Sequence, residues 1–133
     1  MNKSYKDLDI YKGAYKLSIY IYKITSNYPK DEVYGITSQI RRAATSIVLN
    51  IAEGYGRLSE DDFKRFLRIS LGSTNETSAL IELSKDLGYI DKEQYRNLIK
   101  QYDILGRKIY RFIENLNYTK QTSKHQIPNT DKL

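Results

Sequence analysis

Three polar residues that could carry acid–base chemistry share one flank of a predicted helix. Ser46, Asn50 and Glu53 are spaced i, i+4 and i+7, so they lie on one side of that helix, beside its apolar stripe. Together with Glu76 from the next helix, Asn50 and Glu53 could form a polar site or contain an acid–base pair. They could instead form a hydrogen-bond network that fixes the helix register and caps a loop, and we favour the network.

A glycine interrupts the following helix in a stretch of weak helix formers, residues 71–79. Gly72 alone costs about 1 kcal/mol relative to alanine in a helix interior. A sequence that accepts this cost is expected to gain something at that place. Gly72 could allow close approach of another helix or of a ligand. We favour helix packing, within the bundle or between subunits, over ligand contact.

Six basic residues flank the predicted hairpin between the second and third helices. They could hold phosphates through charge-assisted contacts, and they are Arg41, Arg42, Arg57, Lys64, Arg65 and Arg68. Any of the first three could also pair with a buried carboxylate, which needs a partner. Charged residues usually just solvate a helix, so their spacing alone is a weak sign of phosphate binding.

Residues that most enzymes and metal sites need are missing or poorly placed. The chain has no cysteine and one histidine, His125, which lies in a polar C-terminal stretch, so Ser–His and Cys–His catalysis are not expected. Di-iron bundles need Glu-x-x-His pairs, which the sequence lacks. The run GYGR at residues 54–57 lacks the spacing and the Lys-Ser/Thr of a phosphate-binding P-loop. We predict no catalytic residue, no metal site and no cofactor.

Composition indicates one domain with a core of ordinary size. The chain has 133 residues, of which 40% are hydrophobic and 29% charged. The absence of cysteine fits a reducing compartment, and the polar first dozen residues do not resemble a signal peptide, so we expect a cytoplasmic location. The sequence has no run of about 18 apolar residues, the length that a membrane-spanning helix needs. The net charge of +6 favours acidic partners such as nucleic acid, although it could simply serve solubility.

Turn signals divide the chain into four helical segments. Pro29 ends the first segment, and Asp31 can cap the second. Glycines at 54 and 56 end the second, and Ser59 with Asp62 resembles a capping box for the third. Gly88 suits the left-handed end of the third helix, and Asp91 with Gln94 can cap the fourth.

Short loops between these segments make neighbouring helices antiparallel. The sequence therefore predicts an all-α fold, an antiparallel up-down four-helix bundle over residues 1–117. After residue 117 the chain turns polar, and we predict a disordered C-terminal tail over residues 118–133.

The helices differ in how many apolar faces they carry. The fourth has a single stripe, as an ordinary bundle helix does. The first has a core seam of Ile10, Ala14, Leu17, Ile21 and Ile24 and, about half a turn away, a second stripe of Leu8, Tyr11, Tyr15, Ile19 and Tyr22. A bundle buries one face per helix, so the aromatic face indicates a partner or another subunit, although tyrosines also tolerate a wet surface.

The second and third helices are also two-sided. In the second, Val33, Ile36, Ile40, Ala43, Ile47 and Ile51 form the core stripe, Val48 widens it, and Leu49 lies nearly opposite. The third carries apolar residues around much of its circumference. Three two-sided helices indicate self-association more strongly than one. We predict that Tyr11, Tyr15, Ile19, Tyr22, Val48 and Leu49 belong to a subunit interface.

Two central motifs resemble a known family. Residues 39–57 read QIRRAATSIVLNIAEGYGR and residues 63–73 read FKRFLRISLGS, followed by Glu76. These stretches are similar to the signature of the bacterial four-helix bundle proteins, also called 23S rRNA intervening sequence or S23-type proteins. The resemblance covers about residues 5 to 116. Arg41, Arg42, Asn50, Glu53, Gly54, Gly56, Arg57, Gly72, Ser73 and Glu76 sit on the family motif.

The resemblance implies a homopentameric ring of four-helix bundles, a number that periodicity cannot give. Some members of the family are encoded within large-subunit ribosomal RNA genes. A related branch contains accessory proteins of diversity-generating retroelements, which bind a reverse transcriptase and nucleic acid. Through the resemblance, the expected partners are copies of the same chain and nucleic acid or a reverse-transcriptase-like protein.

The function expected from these observations is that of a non-enzymatic, self-assembling bundle that binds nucleic acid or a nucleic-acid-processing partner through a basic surface. The alternative is a structural or adaptor module with no nucleic-acid binding, in which the charge serves solubility. A third hypothesis is an enzyme that uses Glu53 or Glu76, which would require a perturbed carboxylate in an open pocket.

Overall fold

Four helices joined by short turns form the fold. The computed structural model describes the backbone of residues 3–130 and the side chains of residues 3–117. Its helices are α1 (Asp9–Thr25), α2 (Ile36–Tyr55), α3 (Glu60–Asp86) and α4 (Lys92–Thr130), with single 3-10 turns at Tyr5–Asp7 and Lys30–Glu32. Each helix packs on the next and α1 packs on α4, which closes the bundle. Residues 3–130 contain no strand, so the predicted all-α class is confirmed.

The core lies where the 3–4 spacing of apolar residues places it. Nearly all residues of the predicted seams are buried, and Leu17 packs at the edge as a partly buried residue. α1 contributes Ile10, Ala14, Ile21 and Ile24; α2 contributes Ile36, Ile40, Ala43, Ile47 and Ile51; and α4 contributes Leu98, Tyr102, Leu105, Ile109 and Ile113.

Helix ends follow the predicted caps in two of three cases. The Ser59 hydroxyl accepts a hydrogen bond from the Asp62 amide at 3.1 Å, which starts α3. Asp91 and Gln94 form a reciprocal capping box of 3.0 and 2.8 Å ahead of α4. Gly88 has a φ of +80°, the left-handed conformation that glycine adopts without strain.

The start of α2 differs from the prediction. Asp31 does not cap it, because residues Lys30–Glu32 form a separate 3-10 turn and α2 begins at Ile36. Val33, predicted as core, falls in the connection and is 52% exposed. The capping role passes to Glu32, whose carboxylate accepts from the Tyr89 hydroxyl at 2.6 Å and from the Ile36 amide at 3.2 Å. The Tyr89 hydrogen bond, followed by that of Ile36, holds the pKa of Glu32 below its usual value.

α3 turns a row of small hydroxyl side chains toward the core. Ser70, Thr77 and Ser84 are fully buried, and each hydroxyl donates to a backbone carbonyl. Ser70 reaches across to the Ile47 carbonyl of α2 at 2.9 Å. Hydroxyls satisfied in this way can occupy a core at little cost. The sequence analysis placed only apolar residues there, so it missed this row.

The glycines at 54 and 72 have opposite surroundings. A Cβ at Gly54 would lie 2.7 Å from the Cβ of Phe66 and 2.9 Å from Cδ1 of Phe63, so α2 and α3 approach here as closely as glycine permits. A Cβ at Gly72 would meet nothing within 4 Å. Packing inside the bundle therefore does not explain Gly72, and contact with another subunit or with a ligand stays a prediction.

The boundary at residue 117 stays a prediction. α4 runs from Lys92 to Thr130, and its side chains are described as far as Asn117. The predicted tail, residues 118–133, lies outside the described side chains, and residues 131–133 lie outside the described backbone as well.

Alanine at each of these two glycines should act in opposite directions. Gly54→Ala forces the α2–α3 crossing apart and should lower the free energy of unfolding by about 1–3 kcal/mol. Gly72→Ala meets open space within one bundle, so in the separate subunit it should raise the free energy of unfolding by up to about 1 kcal/mol through helix propensity. Urea unfolding followed by circular dichroism, at one fixed protein concentration, measures both. Equal effects of the two variants would contradict the close approach at Gly54.

Candidate functional site

Three of the predicted polar residues form a small network between α2 and α3. The Ser46 and Ser73 hydroxyls are 2.9 Å apart. The Asn50 side-chain amide donates to the Ser46 carbonyl at 2.8 Å and to its hydroxyl at 3.1 Å. None of these side chains titrates near neutral pH. These bonds set the register of the two helices. The network favoured from the sequence included Glu53 and Glu76, whereas the observed one joins Asn50 to two serines.

Both candidate carboxylates stand outside this network. Glu53 is exposed and pairs with Arg57 at 3.2 Å, one turn along the chain. Glu76 is exposed on α3. Among residues 3–117, no hydrogen bond joins either carboxylate to Ser46, Asn50 or Ser73. The arrangement does not create the paired, enclosed carboxylates that the enzyme hypothesis needs.

The described part of the chain offers neither a metal-binding cluster nor a membrane-spanning helix. Its side chains contain no group of three or more His, Cys, Asp or Glu residues placed to bind a metal ion. None of its helices combines the length and the apolar character that crossing a membrane demands.

Arg41 and Arg42 lie near the start of α2 and differ in availability. Arg41 donates to the Thr25 hydroxyl at 2.8 Å and to the Tyr22 carbonyl at 3.4 Å, and its guanidinium stacks 4.6 Å from the Tyr22 ring centroid. It therefore binds the last turn of α1, where a positive charge is favourable. Arg42 is exposed.

Arg57, Lys64 and Arg65 lie near the opposite end of α2, where Arg57 is about 22 Å from Arg42 at 1.5 Å rise per residue. Arg57 and Arg65 both stack on Phe66, 4.7 and 4.5 Å from its ring centroid. Arg65 also lies 3.6 Å from Asp62. Arg68 is exposed. It lies level with the middle of α2, because Ser70, two residues on, bonds to the Ile47 carbonyl. The six predicted residues are thus spread along the α2–α3 hairpin and do not form one compact patch.

Lys64 is a correction to the predicted basic surface. It is 7% exposed and its ammonium donates to Oδ1 of Asn117 at 2.6 Å, with Asp61 at 3.4 Å. A buried cation held by an amide of α4 acts as a tie between the start of α3 and α4. The aliphatic stem of Lys64 explains how this side chain can be buried. The sequence gave no sign of its partner Asn117, which is 53 residues away.

The predicted interface residues come together on one surface. We call this the tyrosine face: Tyr11, Tyr15, Ile19 and Tyr22 of α1 with Val48 and Leu49 of α2. Most of these residues line a shallow groove of about 360 Å³ together with Ser18 and Thr45. Leu49 is 64% exposed and Tyr15 52%, whereas Val48 is buried at the base of the groove. The rings of Tyr11 and Tyr15 extend the surface at 5.9 Å between centroids.

A second exposed row runs along α3. Ile69, Gly72, Glu76, Ala79 and Leu83 follow a 3-4-3-4 spacing and all are exposed; we call this the α3 stripe. Ile69 and Glu76 lie one turn on either side of Ser73, which touches Ser46 of α2. The α3 stripe therefore borders α2 on the side away from the tyrosine face. The sequence analysis noted that α3 was two-sided but did not separate this row from the core.

A family model described as 23S rRNA-intervening sequence protein matches residues 6–111, which includes the turn at Gly54, the polar network and the α3 stripe. The chain belongs to the 23S rRNA-intervening sequence protein family. The fold of this chain is similar to that of a solved protein of unknown function from the S23 ribosomal protein family of Bacteroides thetaiotaomicron. The two are 28% identical with a TM-score of 0.71, and the match covers 78% of this chain and 97% of the other. No curated protein matches the chain.

Membership of this family accounts for the fold of the chain and for its two central motifs. The family description refers to an intervening sequence of 23S rRNA, and the solved relative is described as having unknown function. Neither description names a catalysed reaction. The arguments about function therefore rest on the exposed surfaces of the bundle, above all the tyrosine face and the α3 stripe.

Truncation of Lys64 should affect folding stability. Lys64→Ala removes a buried charge-assisted hydrogen bond and should lower the free energy of unfolding by about 1–3 kcal/mol. The neighbouring Arg65→Ala, on an exposed cation, should change it by about 0.5 kcal/mol or less. Denaturant unfolding of both variants tests the tie to Asn117. A larger effect at Arg65 would show that Lys64 is not a structural residue.

Proposed function

We propose that this protein is a non-enzymatic bundle that assembles into a closed ring, and that the ring binds nucleic acid or a nucleic-acid-processing partner such as a reverse-transcriptase-like protein in the cytoplasm. The observation that carries the proposal is the pair of exposed surfaces, the tyrosine face and the α3 stripe, which is apolar or small apart from Glu76. Each surface includes residues of one of the two central motifs: Val48 and Leu49 in the tyrosine face, and Ile69 and Gly72 in the α3 stripe.

The two surfaces differ in composition, which favours a head-to-tail contact. The tyrosine face is aromatic and grooved, whereas the α3 stripe is narrow, with small residues at Gly72 and Ala79. In a two-fold dimer one patch meets its own copy, but in a ring one patch meets a different patch on the next subunit. Two unlike patches are therefore what a ring requires.

The position of the two surfaces also fits ring closure. They lie on adjacent sides of the bundle and share α2, because the tyrosine face spans α1 and α2 and the α3 stripe borders α2. Contacts on adjacent sides turn each subunit relative to the last, so the chain of subunits curves and can close. The family resemblance supplies the number five.

Gly72 has a role in such a contact. It lies between Ile69 and Glu76 in the α3 stripe, with no Cβ and with open space above it. An aromatic ring of the next subunit could pack directly against the helix backbone there. This would explain a glycine whose cost in helix propensity the isolated bundle does not recover.

Repetition of charge supports polyanion binding. Each chain carries +6, so five chains carry +30 on one particle. Weak phosphate contacts repeated around a ring add through avidity. The exposed Arg42 and Arg68 are the predicted basic residues that keep their guanidinium groups free of the contacts described above. If the ring forms but does not bind polyanions, a structural or adaptor function replaces nucleic-acid binding as the proposed function.

A charged residue introduced into either surface should make the oligomer dissociate. Light scattering of the native protein should give about 78 kDa, five subunits of 15.6 kDa. Tyr15→Glu/Leu49→Glu on the tyrosine face and Leu83→Glu on the α3 stripe should each give smaller species. Tyr34→Glu, on a side chain that is 95% exposed and outside both surfaces, is the matched control and should keep the native mass.

Mixing the two disrupted variants tests the head-to-tail geometry. Each retains one intact surface, so the mixture should form a dimer of twice the 15.6 kDa subunit mass. A mixture that stays monomeric, or a native protein that is itself monomeric, would remove the ring proposal.

Reversal of the two free arginines should weaken polyanion binding while leaving assembly intact. Arg42→Glu/Arg68→Glu should lower the affinity for RNA about tenfold or more and reduce the salt dependence of binding, since fewer counterions are released. Fluorescence anisotropy over a salt series measures this, and light scattering checks the mass. Lys64→Ala should leave the affinity unchanged because that ammonium is buried. A native ring with no affinity at physiological salt would favour the adaptor function.

A further inference from the structure

A large open groove between α3 and α4 is separate from every surface discussed so far. Its volume is about 890 Å³, and Leu71, Ile99 and Tyr102 are among the residues that line it. Gly106 allows the helices to approach below it, since a Cβ there would be 3.4 Å from the Thr74 hydroxyl. Tyr102 is almost fully buried, and its hydroxyl has no hydrogen-bond partner among the described residues.

The rim of this groove on α4 is strongly basic. Arg96, Lys100, Arg107 and Arg111 line it, against a single lining carboxylate, Asp103, so the net charge of the lining is +3. Asp103 is bound to Arg107 at 2.8 Å. The spacing of i, i+4, i+11 and i+15 places the four cations in one row about 22 Å long at 1.5 Å rise per residue. Such a row can follow a chain of phosphates.

An exposed aromatic ring lies within the same groove. Tyr110 is 54% exposed and lines the groove between the levels of Arg107 and Arg111. Tyr95, at the other end, already has the Lys85 ammonium 4.2 Å from its ring centroid. The described residues provide no ring or cation partner for Tyr110. Its face is thus free to stack on a base.

The groove suits a single strand better than a duplex. A duplex presents its phosphates outward and keeps its bases stacked inside, so it could use the basic row but could not reach the ring and the apolar floor. A single strand can place phosphates on the row and turn a base into the groove. Apolar floor, cations and exposed ring together are the features of single-strand sites.

The groove also stays open in the proposed ring. It lies between α3 and α4, whereas the tyrosine face lies between α1 and α2 and the α3 stripe borders α2. Subunit contacts through those two surfaces would therefore leave α4 facing outward.

We propose that the α3–α4 groove is a binding site for single-stranded nucleic acid, with phosphates on the Arg96–Lys100–Arg107–Arg111 row and a base stacked on Tyr110. The site goes beyond the proposed function, which placed phosphate contacts on Arg42 and Arg68. It requires neither those residues nor a closed ring.

The test uses the full chain and a labelled oligothymidylate of about twelve nucleotides, within the usual site size. Anisotropy titrations compare it with a duplex of the same length. The single strand should bind more tightly. Tyr110→Ala should weaken it about tenfold, since one stacked base contributes about 1–3 kcal/mol. Tyr110→Phe keeps the ring and should bind as the native protein does.

Charge reversals locate the site. Lys100→Glu/Arg111→Glu should weaken single-strand binding by more than about tenfold. Lys12→Glu/Lys23→Glu makes the same change in net charge on exposed residues of α1 and should have a much smaller effect. Circular dichroism checks that every variant keeps its helix content, so that loss of binding is not loss of fold.

Four outcomes would overturn the groove site: no single-strand binding by the native protein, equal binding of the duplex, native affinity in Tyr110→Ala, or equal losses in the α1 and α4 charge reversals. If only Arg42→Glu/Arg68→Glu loses affinity, the groove site falls while the proposed function stands. If the ring is absent but the groove variants lose affinity, the ring falls and the groove site stands.

Discussion

The close packing of α2 on α3 is the constraint on which the rest of the structure depends. Gly54 lets the helices approach to the limit set by Phe63 and Phe66 at one end. Further along, the Ser70 hydroxyl bonds to the Ile47 carbonyl, and Ser46 bonds to Ser73. These contacts need small side chains at matched levels, so a slip of either helix would break all of them together. The register they fix also sets which residues of α2 and α3 point outward.

The sequence predicted the seams and two of the caps because apolar spacing and capping chemistry are local signals. It could not predict the interior of α3, because serine and threonine count as polar in any hydrophobic pattern. Their hydroxyls bond to carbonyls within the helix or across to α2, so they pack as small apolar groups. Arg41 and Lys64 were misjudged for another reason. Each binds a group far away in sequence, and only the fold shows that the charge is already in use.

Outward-facing residues divide the bundle into sides of different character. One side is aromatic and grooved, the next is a narrow row with little side-chain bulk, and the side around α4 is cationic. Exposed apolar patches of this kind are typical of interaction surfaces, which is the basis of the ring proposal. The family's two motifs fall on α2 and α3, whose packing creates the first two sides. The basic row on α4 lies outside those motifs, so it could differ between relatives without changing the fold.

The hydroxyl row inside α3 has a thermodynamic consequence. The heat capacity change of unfolding rises with the apolar surface exposed and falls with the polar surface exposed. Unfolding this bundle hydrates Ser70, Thr77 and Ser84 where an aliphatic core would hydrate methyl groups. The curve of stability against temperature is therefore flatter than that of a bundle of the same length with leucine at those positions. The stability of the fold therefore varies somewhat less with temperature than that of the leucine-containing bundle.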